Sequence, residues 1–132
     1  AGLVIGYADL PTRVIGISVA RDAARGSRVV HDTIAEYFNT AGRPHLDVNV
    51  DFRDHWTCGG YEETNTELMT VIEKAAKIGL ILDPTYSGKA FYGLIELART
   101  GDIPRGSKVL FWHTGGLMNL MASSLAQEYI AI

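Results

Sequence analysis

Cysteine is nearly absent: Cys58 is the single one among 132 residues. No internal disulfide can form, and a cytoplasmic compartment is expected. Long apolar runs are missing too. No stretch approaches the ~18 consecutive apolar residues of a spanning helix, so no membrane association is expected. Positive charge is in slight deficit, with 12 Lys and Arg against 15 Asp and Glu and a formal net charge of -3. That balance argues against nucleic acid as a partner, because phosphate backbones select for basic faces. The opening run Ala1-Gly2-Leu3-Val4-Ile5-Gly6 lacks the basic leader and cleavage site of a secretion signal. It also lacks an initiator Met, and it starts as if a further segment preceded it.

Several catalytic signatures fail on spacing. Gly88-Lys89 invites a phosphate-loop reading, but that motif needs Gly five positions before the pair and Ser or Thr after it. Asp83 and Ala90 stand there instead. Neither a Gly-x-Gly-x-x-Gly fingerprint nor a Gly-x-Ser-x-Gly elbow occurs. His55 and Cys58 have a ligand-like spacing with no second pair to complete a zinc site, so no metal is expected. His31 and His45 read as solvated, whereas His113 ends an apolar run and reads first as a structural hydrogen-bonder.

What is present is enough for a core. The chain is 47% hydrophobic and 20% charged, which excludes disorder. Val14-Ile15-Gly16-Ile17-Ser18-Val19 is a run of strand length. Val30, Ile34, Tyr37, Phe38 and Ala41 follow at helical spacing, stopped by Gly42 and Pro44. Val48 to Phe52 alternates as a short strand, and residues 53 to 63 form a loop containing Gly59-Gly60. Asn65 or Thr66 caps a helix buried through Leu68, Val71, Ile72 and Ala75. Leu80-Ile81-Leu82 is a short apolar run before Asp83-Pro84. A helix from about Gly88 to Thr100, a strand over Lys108 to Trp112 and a final helix complete the chain. Strands alternating with helices predict one α/β segment over 1–132, with an open, mostly parallel sheet between helical layers.

In such sheets ligands bind beyond the carboxyl ends of the strands. Two loops rich in small polar residues fall there: Asp83 to Lys89, and His113-Thr114-Gly115-Gly116. Both run into helix starts, where free N–H groups and glycines admit a polar ligand. The same turns also serve a purely structural purpose in many proteins.

The stretch Leu82-Asp83-Pro84-Thr85-Tyr86-Ser87-Gly88-Lys89-Ala90, the helix with Gly93-Leu94-Ile95, and Phe111-Trp112-His113-Thr114-Gly115-Gly116 resemble the C-terminal part of a known family. The family is that of D-cysteine desulfhydrases and 1-aminocyclopropane-1-carboxylate (ACC) deaminases. The opening run and Val14-Ile15-Gly16-Ile17 fit it as well, so the resemblance spans nearly the whole chain. It implies a partial three-layer αβα fold of the tryptophan synthase β-type and a pyridoxal 5'-phosphate (PLP) cofactor. It further implies a small amino-acid substrate, a homodimer, and an N-terminal part that carries the Schiff-base lysine within a Ser-Gly-Asn-Lys stretch. Nothing like that stretch occurs here, and Lys89 does not take its place.

Carried over by position, Tyr86 is similar to the tyrosine beside cofactor and substrate, and Tyr61 to a second active-site tyrosine. The match at Tyr61 needs a one-residue shift, and Glu62 replaces a small residue. Ser87 stands at the position facing the pyridine nitrogen, and Thr114 and Gly115 match the turn lining the ring. Plainer roles remain for each: packed aromatics for the tyrosines, a helix cap for Ser87. The deaminase branch has Glu where Ser87 stands. A neutral hydroxyl there limits charge delocalisation into the ring and suits α,β-elimination from cysteine or cysteate. Deamination of ACC is the alternative within the family, and a non-catalytic domain binding a phosphorylated ligand or a partner subunit is the alternative outside it.

Overall fold

Asp22 and Asn65 set the starts of two helices by accepting backbone N–H bonds, from Arg25 (2.8 Å) and Leu68 (2.9 Å) respectively. The computed structural model describes residues 1–123. Its elements in chain order are α1 (Gly2–Gly6), β1 (Ile15–Ile17), α2 (Ala23–Ala41), β2 (Asp51–Arg53), α3 (Thr66–Lys77), α4 (Ser87–Thr100) and α5 (Leu117–Ala122). Gly42 and Gly101 end α2 and α4 in the left-handed conformation that glycine adopts without Cβ strain.

β1 and β2 pair in parallel with Gly16 opposite Phe52, and α2 is the crossover between them. The Phe52 ring explains two glycines at once. A Cβ on Gly16 would lie 3.2 Å from it, and one on Gly26 would fall inside it, so α2 seats on β2 only through a bare Cα. On the other side, α4 meets β1 at Gly93, where a Cβ would stand 2.9 Å from Trp56 and 3.1 Å from Ile17. The main buried cluster is Leu68, Ile72, Ala75 and Leu82, flanked by Phe91 and Phe111. Arg13 and Arg53 clamp Asp51 and Asp102, tying the approach to β1, β2 itself and the end of α4 into one surface network.

One expected strand differs, and one short apolar run forms none. Leu80-Ile81-Leu82 and Lys108 to Trp112 join no ladder, and the sheet among the described residues has two strands. A strand exists only through the neighbour that accepts its hydrogen bonds, and no such neighbour lies beside these runs among the described residues. Their surfaces reflect it: Leu110 is 70% and Trp112 58% exposed. The expected closing helix is described as α5; the rest of that expectation lies outside the described residues.

Candidate active site

Asp83 organises the first loop. Its buried carboxylate accepts the backbone N–H groups of Thr85, Tyr86 and Ser87 at 2.7–2.8 Å and the Ser87 hydroxyl at 2.6 Å. The Tyr86 and Ser87 N–H groups are orphan donors of the α4 start, and a carboxylate there also complements the helix dipole. The Asp83 carbonyl takes the Gly88 N–H at 2.8 Å. The same carboxylate lies so close to Gly116 that any Cβ on that residue would overlap it. The two loops singled out by sequence therefore meet at Asp83.

Tyr86 emerges from this knot toward an open cleft of about 740 Å³ that it lines together with Thr114, Val19, Ala90, Phe111 and Trp112. Tyr61, half-exposed on the loop between β2 and α3, reaches Tyr86 hydroxyl to hydroxyl, with the rings edge to face at 6.0 Å. That bond, above all other causes, pushes the Tyr61 phenol above its ordinary value. Two non-glycine residues on its loop, Cys58 and Glu62, hold left-handed backbone. The position where the sequence departs from the family's small residue is thus one where a small residue relieves strain.

Of the five residues carried over by position, Tyr86 and Thr114 line one cleft, and Tyr61 joins them through the phenol pair. Gly115 is next to Thr114, and a Cβ there would meet open space. Ser87 differs. It is 2% exposed, its only proton is donated to Asp83, and its oxygen accepts the Asp83 N–H at 2.9 Å. In this conformation Ser87 closes the loop and does not face the cleft. His113 holds two backbone groups: Nε2 donates to the Ile81 carbonyl (2.8 Å) and Nδ1 accepts the Gly115 N–H (3.1 Å). No group of three His, Cys, Asp or Glu among the described residues could hold a metal ion. Sequence reasoning missed the anchoring part of Asp83, for which the signal was an Asp four residues ahead of a helix start. It also missed Lys89, which is wholly buried with its ammonium against the carbonyls of Gly60 (2.6 Å) and Val19 (3.2 Å).

No family model matches the chain. Individual proteins do. A Pyrococcus furiosus protein provisionally named 1-aminocyclopropane-1-carboxylate deaminase is 37% identical over 120 residues, 89% of this chain and 36% of that protein. The 1-aminocyclopropane-1-carboxylate deaminase of Rhizobium radiobacter is 34% identical over 122 residues, 88% of this chain and 36% of that enzyme. The crystal structure of an ACC deaminase homologue superposes with a TM-score of 0.81 at 32% identity, covering 98% of this chain and 39% of the other. Fold and cleft together define a portion of a tryptophan synthase β-like α/β architecture, the class that builds PLP-dependent lyases. The chain belongs to the D-cysteine desulfhydrase and ACC deaminase family, and it spans about 36% of the length of the curated relatives it matches.

Proposed function

We propose that the chain is the C-terminal segment of a PLP-dependent carbon–sulfur lyase acting on a cysteine-like amino acid. The reaction takes D-cysteine and water to pyruvate, sulfide and ammonia, or cysteate and water to pyruvate, sulfite and ammonia. The remaining N-terminal part would bring the lysine that anchors the cofactor, and the whole would work as a homodimer. The observation that carries this reading is the Tyr61–Tyr86 hydroxyl pair at the wall of a cleft shared with Thr114. The exposed apolar surface of Leu110 and Trp112 supports a further segment packed against this one.

The residues present suit a flat, polar-edged ring. The cleft has apolar walls in Val19, Ala90 and Trp112 and a polar residue in Thr114, and Gly115 beside it carries no side chain. PLP bound there supplies an electron sink for charge developing on the substrate carbon. Tyr86 then stands where a phenol can give or take a substrate proton, and Tyr61 shares that proton through the hydroxyl pair. Ser87 contacts the ring only if its hydroxyl turns away from Asp83, so the preference for elimination rests on residue type, a neutral group where the deaminase branch has Glu.

ACC deamination is the second reading, favoured by the names of the relatives. An amino-acid panel given to the full-length protein with PLP separates the two. Pyruvate and sulfide from D-cysteine, or pyruvate and sulfite from cysteate, support the first; a four-carbon keto acid released faster from ACC supports the second. No keto acid from any substrate would leave a non-catalytic binding domain.

A further inference from the structure

Lys89 lies one helical turn beyond Tyr86, on the same side of α4. It is fully buried, yet no ion pair among the described residues includes it. Its ammonium meets backbone carbonyls instead, at 2.6 Å on Gly60 and 3.2 Å on Val19. Burial pulls its pKa below the ordinary lysine value, partly offset by Cys58, Glu63 and Asp83. A desolvated ammonium held without a carboxylate is costly to keep, so its bonds are strong constraints on whatever they hold. What they hold is the loop of Tyr61. No ladder secures that loop, and its own backbone bond is the local Gly60-to-Thr57 contact. Tyr61 follows Gly60 directly and returns to Tyr86, so the loop is tied to α4 twice, from below by Lys89 and from above by the phenols.

We propose that Lys89 is a positioning residue: by gripping the Gly60 carbonyl it sets Tyr61 against Tyr86, and by gripping Val19 it fixes that loop to the carboxyl end of β1. Its catalytic consequence rests on the function proposed above, but the placement of Tyr61 does not.

The test uses Lys89→Met in the full-length protein with ring-labelled tyrosine, the Tyr61 resonance being assigned by its loss in Tyr61→Phe. In the parent, Tyr86→Phe lowers the titration midpoint of Tyr61. In Lys89→Met that dependence on Tyr86 disappears. In turnover, Lys89→Met lowers kcat about tenfold or more with little change in KM, and costs nothing further once Tyr61 is already Phe. A Tyr61 that still senses Tyr86 in Lys89→Met overturns the inference. Should Lys89→Met fail to fold, hydrogen exchange on the parent decides: residues 58–63 exchange together with the first turn of α4, and fast exchange of that loop beside a protected helix start counts against the proposal. Lost Tyr61–Tyr86 coupling in a protein with no lyase activity would uphold the positioning role while removing the proposed function. Retained coupling in an active lyase would do the reverse.

Discussion

The hydroxyl of Tyr61, on the loop after β2, bonds to the hydroxyl of Tyr86 at the head of α4, joining two segments 25 residues apart. Removing either oxygen leaves the ring and takes away the proton path proposed above. In the full-length protein Tyr86→Phe and Tyr61→Phe should each lower kcat by about 10²–10⁴-fold, the usual span for a lost acid or base. The melting temperature should change little, because both hydroxyls sit in exposed side chains. Tyr86→Phe should also let Tyr61 ionise at lower pH, since the bond that holds its phenol up is gone; absorbance of tyrosinate during a pH titration reads this directly.

Asp83→Ala should be among the most destabilising single changes in the chain. It strands three backbone N–H groups and the Ser87 hydroxyl in a buried knot. Unpaired buried donors cost ~1–3 kcal/mol each, and partial rescue by water still leaves an expected loss of about 3 kcal/mol or more. Urea unfolding measures it. Asp83→Asn, which keeps the shape and half the acceptors, should lose less.

Gly26→Ala places a methyl inside the ring of Phe52. Either α2 lifts from β2 or the ring leaves its seat, at a cost of about 1–3 kcal/mol. Combining it with Phe52→Leu should recover part of the loss. A penalty that simply adds to that of Phe52→Leu would mean the two residues do not compete for space.

Acid stability should track Asp51. Its carboxyl is held below the usual range, chiefly by the Arg53 hydrogen bond and next by Arg13. A depressed carboxyl stabilises the fold above its unfolded value, near pH 4, and that contribution fades as pH falls through the lower folded value. Asp51→Asn should therefore weaken the protein at neutral pH and flatten the loss of stability as pH falls below about 4. Denaturant midpoints across that range check it.

Much of the frame was legible because it is local. Asn65 marks the start of α3, the Leu68, Ile72 and Ala75 stripe gives its buried face, and Gly42 and Gly101 sit where α2 and α4 stop. The run around Ile15–Ile17 and the alternation ending at Phe52 became the parallel pair. Leu80–Leu82 and Lys108–Trp112 could not be read to the same depth. Apolarity signals burial, whereas a ladder needs a neighbour, and a sequence pattern carries no information about which neighbour is in reach. At the site, the family resemblance picked out Tyr86 and Thr114, and both line one cleft. It did not foresee that the Ser87 hydroxyl would be engaged by Asp83, or that Lys89 would spend its charge on two carbonyls. Both outcomes depend on side-chain direction within a single turn, which spacing does not encode.

The carboxylate that ties the Pro84–Gly88 turn thus also sets the room left for Gly116 on the neighbouring turn. A side chain at Gly116 would have to displace a carboxylate already committed to three backbone N–H groups, so the second turn keeps its glycine on account of the first.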